Sequence, residues 1–235
     1  MFFYYFDRYY WILIVPAMIF ALWAQSRVSS TYGKYSRVMS ARGMSAADVC
    51  RKILDENGLY HIQIERVAGN LTDHYDPRDN TIYLSENVYA ASTVAAVGVA
   101  CHEAGHAVQY AVGYGPIKVR SAIIPVTQFG SRFSFVLLLI GLLLYSQPLF
   151  LVGILLFSLT TVFQLVTLPV EFNASHRALE TIEGQGLLDG EELDGAKKVL
   201  RAAAMTYVAA LLMSALQLLR YVLIFLGRDR RGGRD

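Results

Sequence analysis

Four apolar blocks separated by polar stretches constrain this chain more than any other feature. About 20 consecutive apolar residues make a helix that crosses the hydrocarbon core of a bilayer, and the blocks approach that length. The first runs from Tyr9 to Ala24, behind an aromatic cluster from Phe2 to Phe6 of the kind that sits at headgroup level. Only Asp7 and Arg8 precede it as charges and they cancel, and no small-residue cleavage site follows, so a retained helix is expected. The second and third, Phe133 to Tyr145 and Leu149 to Leu168, are divided at Ser146-Gln147-Pro148. They read as a transmembrane hairpin whose first arm starts near Val126. The fourth, Ala202 to Leu226, carries Gln217 and Arg220. Arg220 is near enough to the end to snorkel towards the headgroups, and a helix lying in the interface is the alternative to a crossing.

Composition agrees with a membrane protein. Apolar residues make up 54% and charged residues 17%, against about 25% charged in soluble domains. With 21 basic and 19 acidic side chains the net charge is +2, too even for a protein that coats nucleic acid. Two cysteines, Cys50 and Cys101, exclude both a disulfide framework and a Cys-rich zinc site.

The polar stretches, Gln25 to Arg132 and Glu171 to Arg201, carry mixed patterns. Ser45-Ala46-Ala47-Asp48 has the chemistry of a capping box and opens an amphipathic helix through Val49, Ile53 and Leu54, stopping at Gly58. Ile62, Ile64 and Val67 alternate as a strand does. Asp76 to Asn80 is a turn, with Asp73, His74 and Asp76 most simply part of it, and Thr81 to Leu84 a second short strand. An Ala- and Val-rich helix follows from about Ser92 and stops at Gly113-Tyr114-Gly115-Pro116.

Within that helix lies His102-Glu103-Ala104-Gly105-His106. Two histidines four apart project from one helix face, so both imidazoles can reach one metal, and Glu103 flanks them where it can act as a base. With 5 His in the chain, composition alone predicts roughly 0.004 such matches. Gln109 and Val112 stand where the metzincin extension needs Gly and His, so that class is excluded. The third protein ligand must come from elsewhere, and the candidates are His61, His74, His176 and, foremost, Glu171. Glu171 directly follows the third apolar block, and Ser175 lies one turn later, placed to support a ligand. Two crossings in the hairpin return the chain to its starting side, which puts Glu171 and the His pair on one membrane face.

The chain resembles the YugP-type neutral zinc metallopeptidases of bacterial membranes. The resemblance is carried by Leu71-Thr72-Asp73-His74-Tyr75-Asp76-Pro77-Arg78, Leu84-Ser85 with Val88-Tyr89, the His102–His106 helix, and Pro169-Val170-Glu171-Phe172-Asn173-Ala174-Ser175. A more distant similarity is to the HtpX-type membrane proteases, whose third zinc ligand carries over onto Glu171. The departure is Ser175, which stands where those enzymes have Asp, and a hydroxyl supports a ligand less strongly than a carboxylate does. His74 is a further candidate for the substrate groove. His176 lies about 140° around a helix from Glu171 and so is not expected on the same ion. It or Arg177 is a candidate to stabilise an oxyanion.

The expectation is an α-helical integral membrane protein with a small α+β zincin-like (gluzincin) domain. Residues 1–24 form a first transmembrane helix, 25–125 the first part of the domain with its metal-binding helix at about 92–112, and 126–168 the hairpin. Residues 169–201 supply the second part of the domain, 202–227 a fourth membrane helix and 228–235 a basic tail. The expected activity is zinc-dependent peptide hydrolysis by Glu103 as base with His102, His106 and Glu171 on Zn²⁺, acting on protein or peptide substrates beside a lipid bilayer, in membrane protein quality control. A non-catalytic zinc-binding scaffold is the alternative. A cytoplasmic active site would put Arg27, Lys34, Arg37, Arg42, Lys118, Arg120, Arg132, Arg177, Lys197, Lys198 and Arg201 on the positive side. Opposite them stand Arg8, Arg228, Arg230, Arg231 and Arg234. The excess favours the cytoplasmic face of the membrane.

Overall fold

A computed structural model of the protein describes residues 7–232, with side chains through 227; the aromatic cluster at 2–6 lies outside the described residues. The chain divides into two compact units, one of residues 1–23, 119–168 and 207–235, the other of 24–118 and 169–206. Among the described residues, four helical stretches are long and apolar enough to cross a membrane: Tyr10–Tyr35, Gly115–Leu143, Gln147–Gly184 and Glu191–Gly227.

In the first unit, a π-helical turn at Tyr10–Ile14 runs into α1 (Val15–Tyr35). The hairpin is α5 (Gly115–Leu143) and α6 (Gln147–Gly184). Tyr145 turns the corner at φ 54°, and Pro148 sits in the first turn of α6, where a missing N–H costs no hydrogen bond. Small residues let the two arms touch through their backbones. A Cβ on Gly141 would come 2.5 Å from the Phe150 nitrogen, and one on Gly153 would come 2.8 Å from the Leu138 nitrogen. Leu138, Phe150 and Ile154 form the buried centre, and Tyr221 of α7 (Glu191–Gly232) presents its ring edge-on to Phe150 and Phe157.

Arg220 has a partner that the sequence reading did not name. It is 5% exposed, and its Nη2 and Nε donate to Asp7 Oδ2 at 2.9 and 3.1 Å, with the guanidinium over the Tyr10 ring. A cation among apolar helices is held by an opposite charge when one is in reach, and Asp7 is.

The second unit holds the sheet. β1 (Gln63–Val67) pairs parallel with β3 (Thr81–Ser85), and β2 (His74–Asp76) pairs antiparallel with β3, giving the order β1-β3-β2. β3 is central and nearly all buried, as its run Thr81-Ile82-Tyr83-Leu84-Ser85 requires. β2 is a correction to the sequence reading. His74 to Asp76 extend along the free edge of β3, a pairing that three polar and aromatic residues cannot announce by period alone. The turn after β2 is as expected: Asn80 adopts φ 55°, and Asp76 accepts from the Arg78 backbone and guanidinium, which hold its carboxyl down at about 2.

α2 (Ala46–Glu56) begins where Ser45 Oγ accepts from Asp48 N and ends before Gly58 at φ 71°. A single core joins Val49, Ile53 and Leu54 of α2 to Ile82 and Leu84 of β3, to α4 (Val94–Ala111), and to Ala178 and Ile182 of α6. Val199 and Leu200 of α7 complete it, and the short α3 (Glu86–Tyr89) contributes Val88.

Candidate metal centre

α4 starts at Thr93, whose Oγ1 accepts from Ala96 N, and it is built almost wholly of small or β-branched residues. That composition lets neighbours approach closely. A Cβ on Gly105 would lie 2.9 Å from the Ala174 carbonyl oxygen of α6, so only glycine permits this crossing. The crossing places the face of α4 that carries His102 and His106 against the turn of α6 that carries Glu171.

Glu171 Oε2 lies 3.3 Å from His102 Nε2 and 3.4 Å from His106 Nε2. The two rings are 4.7 Å apart and nearly perpendicular, and one ligand atom from each residue falls within 4.8 Å of the others. All three side chains are largely buried. The other nitrogen of each ring is engaged: His102 Nδ1 with Ser175 Oγ at 3.2 Å, and His106 Nδ1 with Gln109 Oε1 at 3.0 Å. Anchoring through Nδ1 leaves Nε2 for a metal, and two imidazole nitrogens with one carboxylate oxygen is a donor set suited to zinc with a position left open. The residues therefore fit the ion.

Electrostatics around the cluster point the same way. Glu103 is 8% exposed, and burial pushes its carboxyl up against the opposing pull of His102 and His106. Burial disfavours a charged His106 ring, yet the Glu171 carboxylate outweighs it and holds that imidazole above its ordinary value. Two carboxyl groups set beside two imidazoles favour positive charge between them.

The remaining sequence candidates fall in different places. Ser175 joins the cluster despite being a hydroxyl in place of a carboxylate. His74 stands on edge strand β2, stacked on Tyr83 with its Nδ1 2.8 Å from the Thr72 carbonyl, and is not among the three clustered residues. His176 pairs with Glu180 on an exposed face, and Arg177 Nε donates to Asn173 Oδ1. Asp73 ties the sheet together by accepting from Ser85 N and Oγ. Cys50 and Cys101 are buried, and burial pushes both thiols up, so they act as small apolar residues. Sequence reasoning missed Gln109 and Asn173. The signal for Gln109 was present, since a residue three after a ligand histidine lies on the same helix face.

Residues 10–226 match a family described as "putative neutral zinc metallopeptidase". The chain is 49% identical over 218 residues, 92% of its length and 97% of the relative's, to a Bacillus subtilis (strain 168) protein named "Putative membrane protease YugP". No solved structure matches. A match over nearly the whole chain, with the converging His102, His106 and Glu171 inside it, means that this protein belongs to the neutral zinc metallopeptidase family to which the YugP resemblance pointed.

Proposed function

We propose that the protein is a membrane-bound zinc endopeptidase, with His102, His106 and Glu171 as ligands and Glu103 as general base. The observation that carries this reading is the convergence of two Nε2 atoms and one carboxylate oxygen beside a buried, otherwise unexplained carboxyl group. Zinc, when bound, supplies Lewis acidity that polarises a scissile carbonyl and acidifies water. Glu103 takes the proton of the attacking water onto its carboxylate and passes it to the leaving amine. A carboxyl group whose proton affinity burial has raised is better matched to that exchange near neutral pH than an exposed one. Ser175 and Gln109 orient the ligand rings. The catalytic part has the character of a zincin-like domain built around α4 and the sheet. The site faces the cytoplasm in a bacterial cytoplasmic membrane, and the HtpX resemblance suggests membrane protein quality control as the role.

The test uses full-length protein in detergent, with metal content and hydrolysis of an unstructured protein substrate measured on the same preparations. Glu103→Gln is expected to keep zinc and lose activity by at least about 100-fold. Retention of activity in Glu103→Gln, with contaminating protease excluded, overturns the assignment, as does a wild-type protein that binds zinc and hydrolyses nothing.

A further inference from the structure

We infer that Gln109 is a positioning residue that fixes His106 as its Nδ1–H tautomer, aiming the Nε2 lone pair at the metal position, with Asn173 and Arg177 fixing Gln109 in turn. The inference rests on the zinc reading above. Amide oxygen and nitrogen have nearly the same shape, so their assignment must come from chemistry at fixed points. Here both ends of the chain of hydrogen bonds are unambiguous. The Val170 backbone carbonyl can only accept, so the Gln109 atom 2.8 Å from it is the amino group. Arg177 Nε can only donate, so the Asn173 atom 2.9 Å from it is the carbonyl oxygen, and that oxygen also accepts from Gln109 Nε2 at 2.9 Å. With both its amino contacts made on α6, Gln109 has only its carbonyl oxygen to offer His106 Nδ1 at 3.0 Å. An acceptor there requires a proton on Nδ1, so in the neutral ring it is Nε2, on the side of Glu171 Oε2, that carries the lone pair a metal needs.

Burial makes the arrangement binding. Gln109 is 0% exposed, so no solvent molecule can take the place of a missing partner without disturbing the core. Its contacts flank both ligand-bearing turns: His106 on α4, and Val170 and Asn173 on either side of Glu171 on α6. His102 is held differently. The Ser175 hydroxyl beside its Nδ1 both donates and accepts, so that contact orients the ring and selects no tautomer. The two histidines therefore depend unequally on their supports.

The test reads the tautomer first. Full-length apoprotein in detergent, labelled with ¹⁵N at histidine, gives long-range ¹H–¹⁵N correlations at alkaline pH, with the His106 signal assigned by its loss in His106→Asn. The wild type is expected to carry the proton on Nδ1 of His106, and Gln109→Met, which keeps shape and removes the acceptor, is expected to lose that preference. Chelator competition with zinc gives the second reading. Gln109→Met should lower affinity about 10- to 100-fold, and Ser175→Ala only about threefold. Arg177→Met, at a half-buried position, should show a smaller loss in the same direction and serves if Gln109→Met fails to fold. A wild-type His106 protonated on Nε2 overturns the inference. So does either variant that folds and keeps both the wild-type tautomer and the wild-type affinity. Failure of the zinc reading would appear separately, as a wild type without zinc, while the tautomer remains readable in the apoprotein.

Discussion

Glu171 meets His102 and His106 because three side chains with complementary chemistry are carried on two helices that a glycine allows to touch. Glu171 and His74 compete for the place of third ligand, and His74 is nearer to the pair along the chain. The distances separate the two: Glu171 Oε2 lies within 3.4 Å of both Nε2 atoms, whereas His74 is engaged with Thr72 and Tyr83 at the sheet edge. Losing one of three protein ligands should cost far more affinity than losing a base that does not touch the ion. Glu171→Ala is therefore expected to lose zinc on mild dialysis against chelator, while His74→Ala and Glu103→Gln keep it. Metal analysis of the three variants checks this, and loss from His74→Ala with retention in Glu171→Ala would reassign the ligand.

α4 and α6 act as a unit, and Gly105 is where their spacing is decided. A methyl group there would meet the Ala174 carbonyl at 2.9 Å, an atom of the backbone that cannot swing aside. The helices must then part by several tenths of an ångström, and the ligand atoms with them. Gly105→Ala is expected to destabilise the protein by about 1–3 kcal/mol and to lower zinc retention. Gly184→Ala, with nothing within 4 Å of the added carbon, should leave both unchanged. Thermal unfolding in detergent with parallel metal analysis compares them, and equal behaviour of the two variants would sink the argument. α6 also carries an apolar block and the polar segment after it as one element. It runs unbroken from Gln147 to Gly184 with Pro169 inside, so Glu171 sits within a continuous helix. Proline takes away one hydrogen-bond donor and a helix tolerates that when its neighbours hold it.

For the whole molecule, the Asp7–Arg220 pair limits the path of the chain. Asp7 precedes the first apolar block and Arg220 lies towards the end of the fourth, and their contact requires both points to sit at one depth. Four crossings satisfy this, with α5 and α6 as the returning hairpin between them. The orientation proposed above predicts that residues 65 and 183 label as cytoplasmic and that residue 145 labels from outside. Cysteines introduced as Glu65→Cys, Glu183→Cys and Tyr145→Cys can be probed in intact cells with a membrane-impermeant thiol reagent, because native Cys50 and Cys101 are buried and silent. Only Tyr145→Cys should label before permeabilisation. Labelling of 65 and 183 on opposite faces would break the scheme.

The four long apolar helices, the capped α2, the strands at 63–67 and 81–85 and the shared helix face of His102 and His106 were legible in the sequence, because each is a local pattern. Block length, a period of two or 3.6, and two histidines four apart all act within one or two turns of chain. Glu171 and Ser175 were reachable as candidates from their place just after the third apolar block, on the same membrane side as the histidine pair, and the resemblance also pointed to Glu171. Edge strand β2 was not legible, because three residues pair only when β3 offers a free edge. The Asp7–Arg220 contact spans more than 200 residues, and no local pattern encodes a partner so far away. Gln109 belongs to both classes. Its helix face followed from its position three residues after His106, but its role depends on Val170, Asn173 and Arg177 standing opposite, and only the packing of α4 on α6 brought them there.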